Sequence, residues 1–109
     1  MASFISEFLK PEISPEPYVP ESDVVAYKEC KDEPVIVEVY CHENGAYGFR
    51  YNSWVAWRDA GCEVRSHDWN LTYPPITTYS EKLESVIEAA ELDAKENSLN
   101  TCGGWMYAV

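Results

Sequence analysis

At 109 residues, with 46% apolar and 14% aromatic side chains, the chain can bury one hydrophobic core but not a second independent one. Nineteen Asp and Glu against eight Lys and Arg give a formal net charge of −11, which argues against direct binding to nucleic acid or an anionic membrane and favours encounter with cationic surfaces. No run approaches the roughly eighteen apolar residues of a membrane span, and the N-terminus lacks the basic, apolar and small-residue regions of a leader peptide, so the expectation is cytoplasmic.

The acids are unevenly spread: residues 1–33 carry a net −5, residues 34–76 a net −2 and residues 77–109 a net −4. Phe4, Ile5, Phe8 and Leu9 recur at helical spacing and predict a short helix of about two turns. Pro11, Pro15, Pro17 and Pro20 remove backbone donors and fix an extended path. Residues 1–22 are therefore read as a short helix and a Pro-rich acidic arm, and residues 23–109 as one domain.

Strands are predicted at 24–30 and 35–42, the second being the apolar run VIVEVYCH. Its alternation places Val35, Val37, Val39 and Cys41 on one face, and Glu38, Tyr40 and His42 with Ile36 on the other. Asn44-Gly45 predicts a tight hairpin turn, and Tyr47, Phe49 and Tyr51 continue an apolar face in the return strand. Residues 52–61 admit a short helix capped by Ser53 or a continuing strand. The strand reading puts Val55 and Trp57 on the core face, turns at Arg58 to Gly61, pairs 62–69 back, and calls for a bulge near Asn52-Ser53.

Residues 71–76, with Pro74-Pro75, read as a crossing loop. Thr78-Tyr79-Ser80-Glu81 then matches a capping box, so a helix is predicted over 79–97. Its buried stripe would be Tyr79, Leu83, Val86, Ile87, Ala90 and Ala94. After Gly103-Gly104, residues 105–109 could add a short edge strand. The fold class expected is α+β: an antiparallel meander of four to five strands with one C-terminal helix on a face.

Opposite the apolar stripe, Glu81, Glu84, Glu88 and Glu91 follow steps of three, four and three. At about 1.5 Å rise per residue they form a ladder of carboxylates about 4.5 to 6 Å apart, coarser than the ~3.4 Å phosphate step of one DNA strand. An ordinary solvated helix face has the same pattern, yet helix stability does not call for it, because Glu84 and Glu88 repel at a spacing of four. In size, acidity and poverty of motifs the chain resembles the small inhibitors that phages and mobile elements direct against host nucleases, the anti-restriction and anti-CRISPR proteins. That resemblance implies nucleic-acid mimicry, a basic nucleic-acid-binding partner and no cofactor. It shares no motif, so it assigns no residue a role.

Trp54, Trp57 and Tyr40 are candidate aromatic anchors for the same partner, and a homodimer through the sheet face is an alternative. Chemical alternatives rest on Cys41, His42, Cys62 and His67, which could gather around zinc, or supply a cysteine nucleophile and a base. No two cysteines stand close enough for a zinc knuckle, and the four thiols are expected free in a reducing compartment; an oxidising one would allow two disulfides in three connectivities. The reading reached is a non-catalytic inhibitor that binds a basic surface through the acidic ladder. The alternatives are a Cys/His metal-stabilised domain or enzyme, and a dimeric structural or adaptor protein.

Overall fold

The computed structural model describes residues 15–31, 33–58, 60–61, 64–74, 79–99 and 104–108. The short helix expected at 4–9, Cys62, Cys102 and the Pro75 to Thr78 stretch lie outside these residues. The described residues form a five-stranded antiparallel sheet with one helix packed against it, an α+β fold. Its strands are β1 (Val24–Glu29), β2 (Val35–Cys41), β3 (Tyr47–Arg58), β4 (Val64–Thr72) and β5 (Met106–Tyr107), in the spatial order β4-β3-β2-β1-β5. The helix, α1, spans Leu83–Glu96. Among the described residues no helix is long and apolar enough to cross a membrane.

Burial follows strand alternation. β2 is central and covered on both faces, so an alternating sequence reads as continuously buried from Val35 to Tyr40. Val37 and Val39 join Ala26 of β1 and Phe49 of β3 beneath Val86, Ala90 and Ala94 of α1. Two of these three helix residues are alanines, whose short side chains let the helix lie close to the sheet. Leu83, Ile87, Leu99 and Trp105 close the margins of this layer.

The β2–β3 hairpin forms where Asn44-Gly45 predicts it, but not by a two-residue turn. Only Gly45 takes a positive φ, 89°, while Gly45 N–H donates to the His42 carbonyl (2.9 Å) and His42 N–H to the Ala46 carbonyl (2.7 Å). This is a three-residue loop with glycine in the left-handed position, and Asn44 serves it through its side chain, which accepts from Ala46 N–H at 3.0 Å.

The strand reading of 52–58 holds, with two corrections. Pairing with β2 runs without a shift from Ser53 to Tyr47, so no bulge lies near Asn52-Ser53; the irregularity falls between Trp57 and Arg58, in the pairing with β4. Val55 and Trp57 are not core residues: Trp57 is 47% exposed, whereas Trp54 on the opposite face is 2% exposed. The reason is length. A 12-residue strand reaches about 40 Å and a 14-residue helix about 21 Å, so the outer end of β3 runs beyond its helical cover. β4 also continues through Thr72, so Leu71 and Thr72 belong to a strand and not to the expected crossing loop.

The helix begins at Leu83, four residues later than the capping-box reading requires. Ser80 exchanges two backbone hydrogen bonds with Tyr47, at 2.7 and 3.1 Å, which holds it extended as an addition to the end of β3. Its hydroxyl then accepts from Lys82 N–H (3.1 Å). Tyr79 is consequently outside the helix and half exposed, not part of the buried stripe. At the other end Ser98 adopts a left-handed φ of 59°, with Ser98 N–H donating to Lys95 and Leu99 N–H to Ala94. These are the two bonds of a Schellman cap, built without the usual glycine.

Residues 15–22, the described part of the proline-rich arm, belong to the folded body. Tyr18 packs edge-on against Tyr27 (5.0 Å) and Trp69 (5.8 Å), and Trp69 Nε1 donates to the Glu16 carbonyl (3.2 Å). The arm thereby covers, on the second face of the sheet, what α1 covers on the first.

Candidate functional site

The surface row of carboxylates is partly as the sequence implies. Glu84 and Glu88 are exposed on α1, one turn apart. Glu81 is exposed but precedes the helix, so its place in the row is set by the Ser80 bridge and not by helical period. Glu91 accepts from Lys28 Nζ of β1 at 3.3 Å. Leu92 stands four residues from both Glu88 and Glu96 and is 58% exposed, an apolar side chain between carboxylates.

The second face conceals a charge cluster. Glu38, fully buried, accepts from Arg50 Nε (2.7 Å), from the Tyr18 hydroxyl (2.6 Å) and from Asn52 Nδ2 (3.1 Å). Arg50 presents both terminal nitrogens to Asp23, each at 2.9 Å, and lies 4.5 Å from the Tyr40 ring centroid. The buried guanidinium thus has two carboxylates and an aromatic face around it, the arrangement a desolvated charge needs. The hydrogen bond from Arg50 holds the Asp23 carboxyl below its ordinary range, against the opposing effect of partial burial. For Tyr18, burial first and the bond to Glu38 second push the phenol above its ordinary value.

A depressed carboxyl pKa fixes the sign of a pH effect. Asp23 contributes stability in full above the unfolded value of about 4, and that contribution is lost as the pH falls through the lower folded value. Denaturation of the wild type and of Asp23→Asn across pH should therefore show a stability gap that is constant above about pH 5 and closes in acid. A gap that persists unchanged into acid would contradict the assignment.

Gly48 lies opposite Tyr40 across the β2–β3 ladder, beneath two rings. A Cβ there would meet Tyr79 Cε1 at 2.8 Å and the Tyr40 ring and hydroxyl at 3.0 Å. Gly48→Ala should cost about 1–3 kcal/mol by overpacking, read as a lower denaturation midpoint at unchanged m-value.

The other sequence candidates fall as follows. Trp54 and Tyr40 are 2% and 4% exposed and offer little surface to a partner, whereas Trp57 remains available. Cys41 ends β2 opposite Tyr47, the first residue of β3, and His42 follows it, while His67 pairs with Ala56, nine residues further along β3. At about 3.3 Å per residue these positions are about 30 Å apart, so Cys41 and His67 cannot share a metal ion. No group of three metal-ligating side chains occurs among the described residues. The Cys41 thiol donates to the His42 carbonyl at 3.5 Å, and the His42 ring packs against Tyr40 and Tyr79.

Sequence reading passed over Asp23, Glu38 and Arg50 as a unit. The predicted two-residue Asn44-Gly45 turn would pair residue 38 with residue 51; only the three-residue loop that forms instead brings residue 50 opposite residue 38. No known protein family, curated protein or solved structure matches the chain. Function is therefore argued from this geometry alone.

Proposed function

We propose that this chain is a non-catalytic cytoplasmic binding protein that occupies a basic surface of a nucleic-acid-handling protein, with the carboxylates of α1 standing in for phosphates. The observation that carries the reading is the placement of the cations. Arg50 is buried between Asp23 and Glu38, and Lys28 is held by Glu91, so neither counters the charge of Glu84 and Glu88. Lys82 and Lys95 stay exposed beside the row, but the exposed carboxylates Glu81, Glu84, Glu88 and Glu96 outnumber them, and the remaining negative field speeds encounter with a basic partner and makes association steeply salt-dependent. Glu81 flanks the row, and Leu92 and Trp57 are accessible apolar contacts.

The test is capture from lysate of the native host at low and high ionic strength, with and without competing duplex DNA. Nucleic-acid-binding proteins should be retained at low salt, released by salt, displaced by DNA, and not retained by Glu84→Lys with Glu88→Lys. Both positions are exposed, so the variant should keep the wild-type circular dichroism spectrum. Undiminished capture by that variant would end the proposal.

A further inference from the structure

Beside the β2–β3 hairpin the second face opens into a cleft of about 730 Å³, walled by the rings of Tyr40, His42, Tyr73 and Tyr79, with the carboxylates Asp23 and Glu43 at its lining. The rings meet one another edge-on: Tyr73 on Tyr40 at 6.1 Å, and His42 on Tyr79 at 4.6 Å. The hydroxyls of Tyr40 and Tyr79 lie 3.4 Å apart. Tyr73 and Tyr79 are each half exposed, although they belong to an otherwise well-packed aromatic group.

Charge decides what this cleft can accept. Its lining includes one cation, Arg50, but that guanidinium is already engaged by Asp23 and Glu38 and faces Tyr40. Asp23, Glu38 and Glu43 together outweigh it by two negative charges, so an anion would be repelled. Each Asp23 oxygen accepts one hydrogen bond from Arg50, which leaves acceptor capacity on a carboxylate that is still partly exposed. Aromatic faces beside uncompensated carboxylates attract organic cations, and a guanidinium suits them best because it is planar, weakly hydrated and stacks on rings. The wall already holds one such pair, Arg50 over Tyr40. The cleft is also continuous with the acidic row, since Tyr79 is followed by Ser80, pinned to β3, and then by Glu81.

We infer that this cleft is a receptor for the guanidinium group of an arginine side chain on the basic partner, with Tyr73 and Tyr79 as stacking walls and Asp23 and Glu43 as counter-charges. The inference rests on the functional reading above and adds to it a specific side chain and a specific pocket. The row on α1 supplies long-range attraction; the cleft supplies a short-range contact that fixes register.

The probe is N-acetyl-arginine amide, titrated into isotope-labelled protein and followed by backbone amide shifts, with the lysine and norleucine analogues in parallel. Saturable shifts should appear at residues 42–46, 73 and 79 with the arginine probe, at several-fold higher concentration with lysine, and not with norleucine. Tyr73→Ala combined with Glu43→Gln changes two solvent-facing side chains, and should weaken arginine binding about tenfold while leaving the remaining amide spectrum in place. Absence of saturable shifts, an equal response to norleucine, or unchanged affinity in the double variant would overturn the inference. Glu84→Lys with Glu88→Lys separates the two proposals, because it leaves the cleft intact. Loss of capture by that variant, in a protein that fails to bind the arginine probe, defeats the cleft and spares the acidic row; the opposite pattern defeats the row and spares the cleft.

Discussion

Glu38→Ala should lower stability by about 3–5 kcal/mol, because it leaves a buried guanidinium without one of its two counter-charges. Three donors converge on this carboxylate, from Arg50, Tyr18 and Asn52, and all three lose their acceptor at once. Against a domain stability of about 5–15 kcal/mol, the loss approaches the limit of folding. The penalty belongs to the stranded partners more than to the pair itself. Replacing Glu38 and Arg50 together by methionine should therefore recover part of the loss, since Asp23 is exposed enough to be solvated when its partner is gone, while Tyr18 and Asn52 still lack their acceptor. Urea denaturation of Glu38→Met, of Arg50→Met and of the double variant forms the cycle that measures this. A loss below about 1 kcal/mol for Glu38→Ala would mean that the cluster is not the desolvated unit described.

Trp54→Ala should cost about 3–5 kcal/mol, and Trp57→Ala less than about 1 kcal/mol. The two residues are three apart on one strand: Trp54 faces the arm's side of the sheet, and Trp57 faces the helix side beyond the end of its cover. Trp54 stacks on His67 (5.9 Å, rings inclined at 18°) and meets Trp69 edge-on at 5.6 Å. Its removal opens a void and also loosens Trp69, which anchors the arm through the Glu16 carbonyl. Trp57 is 47% exposed and has far less packing to lose. Equal costs for the two substitutions, measured by denaturant unfolding, would contradict either the packing of Trp54 against His67 and Trp69 or the uncovered far end of β3 at Trp57.

The meander, its order and the edge strand at residues 106–107 are legible in the sequence because alternation and turn residues are local signals. Val37, Val39, Phe49, Val86, Ala90 and Ala94 announce themselves by period alone. What escapes a local reading depends on reach or on a distant partner. Extending the alternation from Tyr47 selects Val55 and Trp57, because periodicity does not report that the helix stops short of the strand's far end. The start of α1 is displaced by Tyr47, thirty-three residues before Ser80, and no capping rule sees such a bridge. Arg50 looks like one of three surface arginines until its register places it against Glu38. For the candidate site, exposed Glu84 and Glu88 follow from helical period, whereas the pairing of Glu91 with Lys28 and the cleft of tyrosines require the assembled sheet.

The arm changes how the amino end of the molecule should be handled. Residues 15–21 belong to no strand or helix, and their three prolines, Pro15, Pro17 and Pro20, invite trimming. Yet the hydroxyl of Tyr18 is one of the three groups that make an ionised side chain tolerable at the centre of the sheet, and Trp69 clasps the backbone just before it. Shortening the chain past residue 18 is thus an interior lesion inflicted from outside, equivalent to deleting a core donor, although no helix or strand is cut.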